Sequence, residues 1–294
     1  MNRYFKSKRA IAFFALPGLL LYTAFVVFPL FPEVLISFQK HNGITSSGFV
    51  ALENYQWVLQ NDRFWIGNAN ILYVMVLSTC IGLPVSLILA ILLDFQGKRM
   101  RRFFKTVSFI PAILAVTIIA QIWIAIYNPQ WGLVNSFLRA VGLDDLARSW
   151  LTDESTAMTS VAITFIWQYI GFNMVLFYAG LKSIPRTYFE AALIDGAGPV
   201  RSTWYITIPL LQDIIKYVLI ISVLGCMGLY VHVKMMTSGG PGDATMTVIY
   251  LLFNTAFKDM EFGRGCAVAM LFLGECVVVS AVINRFVARE KIEF

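Results

Sequence analysis

The side chains that could perform catalysis in this chain are few, and their spacing completes no reactive set. The two histidines, His41 and His232, are far apart and have no acidic or nucleophilic neighbours that would form a catalytic constellation with them. The four cysteines all lie inside apolar stretches, at Cys80, Cys226, Cys266 and Cys276. Their placement predicts neither a disulfide framework nor a metal site. We predict that the chain is not an enzyme.

One acidic residue is notable because it lies inside an apolar run. Glu275 occupies the middle of the stretch Phe272–Val277, where an ionised carboxylate costs about 2.5–3.5 kcal/mol or more in a membrane. The sequence offers no obvious basic partner for it. Three roles fit this position: contact with a solute, a polar contact with another subunit, or a neutral acid that is merely tolerated.

The most informative polar stretch follows the fourth apolar block and contains Glu190-Ala191-Ala192. Pro185 disfavours helix at the residue before it, so a long helix should end near Ser183. The run 188–194 suits a short helix, which Gly196 can end by taking the left-handed conformation. Pro199 fits the first turn of a second short helix. The expected product is a helix–turn–helix segment.

The elements that position these residues are long and apolar. The chain has 294 residues, of which 58% are hydrophobic and 14% charged, and its mean hydropathy is +0.71. A helix crosses a bilayer with about 20 mostly apolar residues. Six blocks meet that length, at approximately 11–37, 69–93, 103–127, 157–181, 214–233 and 265–283. We predict an all-α, polytopic membrane protein with six transmembrane helices in a single domain, 1–294. The first block is expected to be a retained span.

The basic residues predict the orientation of these spans. Lysine and arginine favour the cytoplasmic side of short membrane loops. With both termini inside, 16 of the 23 basic residues fall on the cytoplasmic side and 7 outside. The loop 182–213 is then cytoplasmic. The net charge of +6 is explained by topology and by contact with anionic membrane lipid, so no nucleic-acid partner is predicted.

The polar loop carries the residues of a known family pattern. Glu190-Ala191-Ala192, Gly196, Ile206 and Pro209 resemble the EAA loop of ATP-binding-cassette (ABC) importer permeases, EAA-x3-G-x9-I-x-L-P, with Ile208 in place of leucine. Further stretches resemble the carbohydrate-uptake, maltose/oligosaccharide permease-like branch, among them Leu16-Pro17-Gly18, Asn54-Tyr55, Asp195-Gly196-Ala197 and 237–241. The resemblance covers nearly the whole chain in the right order.

This resemblance implies a type I ABC-importer permease fold in the cell membrane of a bacterium or archaeon. It implies that the chain translocates a sugar or oligosaccharide delivered by an extracellular solute-binding protein. It also implies a second permease subunit, as a paralogue, and two ATPase subunits. The coupling residues would be Glu190, Ala191, Ala192, Asp195 and Gly196.

The sequence lacks the phosphate-binding motif G-x4-G-K-[ST], since Gly97-Lys98 has neither the first glycine nor the following hydroxyl residue. ATP is therefore expected on the ATPase chains, and no cofactor is expected on this one.

The resemblance also implies a set of residues along the solute pathway. A gap-free alignment from Glu190 places the sugar-contacting positions of a maltose permease on Phe165, Gln168, Tyr169, Phe172, Ser222, Gly225, Cys226 and Leu229. Tyr230 follows directly. The match is one of position, because the residue types differ. The aromatic side chains could instead pack between helices. His232 and Lys234 are expected near the outer end of the fifth span, where they snorkel or face the turn.

Two other function classes fit a polytopic chain. A secondary, ion-coupled carrier would need internal repeats and ion sites at the membrane midplane, where this chain offers Glu275. An intramembrane enzyme acting on lipid would need acid, base or metal groups clustered near one interface, and Asp144-Asp145 alone makes no such cluster. Co-purification of an ATPase subunit separates the three readings.

Overall fold

A computed structural model describes the backbone of residues 8–286 and the side chains of residues 12–285. The described chain is mostly helical. Its helices, numbered in chain order, are α1 (Lys8–Tyr22), α2 (Leu30–Ser37), α3 (Glu53–Gln60), α4 (Asp62–Leu77), α5 (Leu83–Asp94), α6 (Lys98–Ile113), α7 (Val116–Ile126), α8 (Leu133–Ala140), α9 (Glu154–Ser183), α10 (Arg186–Ile194), α11 (Pro199–Ser202), α12 (Ile208–Leu210), α13 (Gln212–Met227), α14 (Val231–Met236), α15 (Val248–Phe253) and α16 (Phe262–Phe286). Wider π-helical turns join several of them, at Thr23–Val27, Ser78–Gly82, Thr203–Thr207 and Asn254–Lys258.

The described residues divide into two compact units. The first contains residues 8–62 and 251–273, and the second contains residues 63–250 and 274–286. The expected coupling residues and the expected residues of the solute pathway all belong to the second unit.

The first unit contains a short hairpin that the all-α prediction did not include. Strands β1 (Gln39–His41) and β2 (Ser46–Phe49) pair antiparallel. Asn42 holds the turn because its side-chain oxygen accepts from the amides of Ile44 and Thr45, at 3.0 and 2.8 Å. Asn54 donates to the carbonyls of Ser37 and Gln39 at 2.8 and 2.9 Å, which fixes α3 to the start of the hairpin.

Four helical stretches are long and apolar enough to cross a membrane. They are Ala12–Ser37, Asp62–Asp94, Glu154–Ser183 and Phe262–Arg285. Two further candidates are bent helix pairs: α6 with α7, at 99°, and the stretch Pro199–Leu210 with α13, at 71°. By length and composition, the described chain therefore has four candidate spans, or up to six when each bent pair counts as one.

The second unit is built around α9. This helix has 30 residues, so at 1.5 Å per residue it is about 45 Å long and can cross the hydrocarbon core. Near its middle, Gly171 lies against the backbone of α6, where a Cβ atom would come within 1.6 Å of the Ser108 carbonyl oxygen. Phe109 and Phe172 stack beside this crossing, with ring centroids 6.2 Å apart.

The third and fifth apolar blocks are not single straight helices. Between α6 and α7, Leu114 and Ala115 have extended backbone, three residues after Pro111. Between α13 and α14, the chain leaves helical geometry at residues 228–230. There the hydroxyl of Thr247 donates to the carbonyl of Leu229 at 2.9 Å, so that a carbonyl at the break has a donor within the protein.

We expect Gly171→Ala to prevent α6 from packing on α9. The added methyl group overlaps backbone that cannot rotate away, so the free energy of unfolding should fall by about 3 kcal/mol or more, the upper end of overpacking costs. Thermal unfolding of the purified protein in detergent measures this. Gly274→Ala is the matched control, because no atom lies within 4 Å of a Cβ there. An unchanged midpoint for Gly171→Ala would show that the close crossing is wrong.

Candidate functional site

The polar loop folds into the helix–turn–helix expected from its sequence. Helix α10 starts after Pro185, and Gly196 follows its end with a φ of +74°. The amide of Ala197 donates to the carbonyl of Ala192 at 2.8 Å, and the amide of Gly196 donates to that of Leu193 at 3.1 Å. These two bonds form a Schellman cap, which requires the left-handed residue at Gly196. Helix α11 begins directly after, with Pro199 at its first position.

The loop presents a large apolar surface together with its acidic residues. Five bulky side chains between α10 and the start of α12 are 65–87% exposed: Leu193, Ile194, Val200, Trp204 and Tyr205. Glu190, Ala191 and Asp195 are exposed as well, whereas Ala192 is buried. We call residues 186–210 the coupling segment. An exposed apolar patch on a folded surface is typical of a site that another protein covers.

A cavity of about 420 Å³ separates the coupling segment from the ends of α5 and α9. Glu190 and Arg186 line it from the segment, and Asp94 and Lys182 line it from the helix ends, where they form an ion pair. Arg101 caps the end of α5, because its guanidinium donates to the carbonyls of Leu93, Asp94 and Gln96 at 3.3, 3.0 and 2.7 Å. Side chains thus fix the ends of α5 and α9. The cavity lies between these helix ends and the coupling segment.

Several of the expected pathway residues come together between α9 and α13. Phe165 and Tyr169 pack with ring centroids 5.0 Å apart, and a Cβ on Gly225 would lie 3.6 Å from the Phe165 ring. Cys226 and Leu229 are fully buried in the same cluster. Ser222 shares a hydrogen bond of 3.0 Å with Ser78 of the wide turn after α4.

Two expected pathway residues lie outside this cluster. Phe172 stacks on Phe109 at the crossing of α6 and α9. Tyr230 packs on Tyr250, with ring centroids 6.2 Å apart, and the Lys234 ammonium lies 5.4 Å from the centre of the Tyr230 ring. Both rings therefore pack against other aromatic rings, which is the alternative to lining the solute pathway.

His232 is expected to snorkel or to face the outer turn, and both expectations are wrong. Its side chain is 4% exposed, and its Nε2 lies 2.8 Å from Oε1 of Gln168, which is 1% exposed. The reason is that the fifth apolar block, 214–233, is not one continuous helix. The break at residues 228–230 turns α14 so that His232 points into the protein. The nearby Gly225 and Gly228 were the sequence signal for that break.

Glu275 has a partner that the sequence did not reveal. The side-chain amide of Asn68 donates to its Oε1 at 3.2 Å. Its second oxygen, Oε2, is buried and has no hydrogen-bond partner among residues 12–285. The described residues also contain no group of three or more histidine, cysteine, aspartate or glutamate side chains placed to hold a metal ion.

The sequence is similar to those of known transport proteins. The family model for the binding-protein-dependent transport system inner membrane component matches residues 82–291. The sn-glycerol-3-phosphate transport system permease protein UgpA of Shigella flexneri is 32% identical over 92% of this chain and 91% of its own length. The diacetylchitobiose uptake system permease protein NgcF of Streptomyces coelicolor is 29% identical over 93% of this chain and 80% of its own length.

The fold is shared with a solved transporter. A chain of a bacterial alginate ABC transporter, in complex with alginate pentasaccharide-bound periplasmic protein, superposes with a TM-score of 0.82. The superposition covers 97% of this chain and 96% of that one, at 19% sequence identity. The predicted helical permease fold is therefore confirmed. The structure adds to that prediction a short hairpin and two bent helix pairs.

We expect Gly196→Ala to loosen the end of α10. A left-handed conformation costs a residue with a Cβ about 1–2 kcal/mol, and no neighbouring atom adds a clash. The amide of Ala197 should then exchange with solvent about tenfold faster in hydrogen-exchange mass spectrometry. Gly196→Asn should exchange more slowly than Gly196→Ala, because asparagine tolerates this conformation. Equal rates in wild type and Gly196→Ala would contradict the cap.

Proposed function

Because this chain belongs to the family of binding-protein-dependent transport system inner membrane components and is a permease subunit of an ABC transporter, we propose that it carries a sugar or oligosaccharide. An extracellular solute-binding protein delivers the solute. The observation that carries the proposed ATP-driven transport is the coupling segment: a capped helix–turn–helix with the complete EAA spacing and an exposed apolar patch. The family membership also decides against the secondary carrier and the lipid enzyme.

The coupling segment is the proposed docking site for an ATPase subunit. Ala191, which is exposed, lets the partner approach α10 closely, and Gly196 provides the turn. Ala192 was expected to share this face, but it is buried within this chain and packs inward. Glu190 pairs with a basic residue of the partner, and Asp195, which is also exposed, precedes the turn. Leu193 and Ile194 are covered when the ATPase docks, which removes apolar surface from water.

The proposed assembly contains this chain as one permease domain, 1–294, with a paralogous second permease and two ATPase subunits. Both termini and the coupling segment lie in the cytoplasm of a bacterial or archaeal cell. ATP binds to the ATPase subunits and closes their dimer, which moves the coupling segments. The pathway then changes from inward to outward access, as a population shift driven by different ATP affinities of the two states.

The proposed solute class rests on chemistry and on relatives. Phe165 and Tyr169 offer aromatic faces for the C–H surfaces of a sugar ring, and Gln168 offers an amide for its hydroxyl groups. NgcF is named for the uptake of diacetylchitobiose, and the alginate transporter carries a polysaccharide. UgpA is named for glycerol-3-phosphate, a small polyol derivative. Calorimetry of candidate sugars on the cognate binding protein identifies the solute.

We expect Glu190→Lys to uncouple ATP hydrolysis from uptake. The reversed charge repels a basic partner residue, so the ATPase subunit should be lost on purification, or hydrolysis should continue while ATP-driven uptake in proteoliposomes falls at least about tenfold. Glu53→Lys is the matched control, since Glu53 is also exposed on a helix but lies in the first unit. Normal uptake by Glu190→Lys, at normal abundance in the membrane, would refute the docking site.

We expect the double variant Gln168→Ala/Tyr169→Ala to lose transport of the native solute. The variant removes the amide and one aromatic face from the proposed pathway, so the uptake rate should fall about tenfold or more while the complex still assembles. Ile163→Ala on the same helix, with a side chain 46% exposed, should transport normally. Unchanged uptake rate and affinity in the double variant would remove these residues from the pathway.

A further inference from the structure

A buried hydrogen bond joins two helices inside the proposed solute pathway. Nε2 of His232 lies 2.8 Å from Oε1 of Gln168. Because an amide oxygen only accepts, the imidazole N–H is the donor. The ring of Phe165 stands edge-on to the imidazole, with centroids 5.6 Å apart, and shields the bond from one side. The bond thus lies in an environment from which water is excluded.

The donor belongs to a short helix that is not continuous with its neighbour. Helix α14 has six residues and follows the break at 228–230, so no helical hydrogen-bond ladder connects it to α13 across the break. Side-chain bonds to the chain around it hold this part in place, such as that from Thr247 to the carbonyl of Leu229. The acceptor, in contrast, lies in the middle of the 30-residue helix α9. This hydrogen bond therefore joins the long helix α9 to the short helix α14.

A donor to the amide oxygen of Gln168 stabilises every state of the protein in which that oxygen is buried. A buried acceptor without a donor is expensive, so native proteins almost always provide one. A hydroxylated solute in the pathway can supply such a donor. In this structure, His232 supplies it.

We propose that His232 is the gating residue of the pathway, whose imidazole takes the place of a solute hydroxyl group on Gln168. The bond holds α14 against α9 while the pathway is empty. When solute arrives, one of its hydroxyl groups replaces the imidazole on Gln168, and α14 is released. The Gln168 oxygen keeps one hydrogen-bond donor before and after the exchange, and the released imidazole N–H takes its new acceptor from the solute's other oxygens. This inference deepens the proposed function and rests on it.

The chain contains its own reporter for this gate. Cys226 is fully buried, and it packs in the same cluster as Phe165 and Val233 of α14. With Cys80, Cys266 and Cys276 changed to alanine, it is the one remaining thiol of the sequence. The rate at which N-ethylmaleimide alkylates Cys226, in the assembled complex without nucleotide or solute, measures how often the pathway opens.

His232→Leu and Gln168→Leu should each raise that rate at least about tenfold, because each removes one buried hydrogen bond. His232→Gln, which retains an N–H donor, should restore most of the protection. The matched control is Thr159→Val, which breaks another side-chain bond of α9, the exposed one of 2.8 Å between the hydroxyls of Tyr73 on α4 and Thr159. It should leave the rate unchanged.

Unchanged alkylation in both leucine variants would overturn the proposal, and so would an equal rise in Thr159→Val, which would indicate general loosening. If one leucine variant does not assemble, the other decides. The labelling requires no transport. A wild-type complex without ATP-driven uptake would therefore refute the proposed function, whereas intact uptake with unprotected Cys226 in wild type would refute the gate alone.

Discussion

The side-chain hydrogen bond from Thr247 to the carbonyl of Leu229 illustrates the constraint on which this structure depends. In an apolar solvent, a backbone group that leaves a helix must find its partner within the protein. Arg101 meets the same need at the end of α5, and Asn70 meets it by donating to the carbonyls of Ala244 and Met246 at 3.0 and 2.9 Å. At these three interruptions, a side chain supplies the donor. These interruptions lie beside the proposed pathway and the coupling segment.

Helix α9 connects the two functional regions mechanically. Its middle carries Gln168 and the aromatic side chains of the pathway, and it ends at Ser183, only three residues before α10 begins at Arg186. Gly171 fixes α6 against it by close backbone contact. In the proposed function, a displacement of the coupling segment is passed to this long helix, because only two residues separate α9 from α10. The polar bonds at the helix interruptions are the points that can rearrange in response.

Local sequence determined the features that were predicted correctly. The family resemblance is confirmed, and Gly196 and Pro199 set the turn of the coupling segment through their own backbone preferences. The departures depend on contacts between distant residues. His232 was misplaced because the break at 228–230 reorients α14, and the partner of Glu275 lies on a helix some two hundred residues away. The hairpin was missed because its strands are short and polar, with Asn42 forming the turn. The roles of the coupling and pathway residues stay predictions.

The central claim is that residues 186–210 face the cytoplasm and receive an ATPase subunit. A photo-crosslinking amino acid at Ile194, whose side chain is 87% exposed, tests it directly in the complex purified from cells. The comparison site is Ile44, 84% exposed in the turn of the hairpin. The account predicts a crosslink from position 194 to the ATPase chain and none from position 44. A crosslink to the ATPase chain from position 44, or none from position 194 in an intact complex, would contradict it.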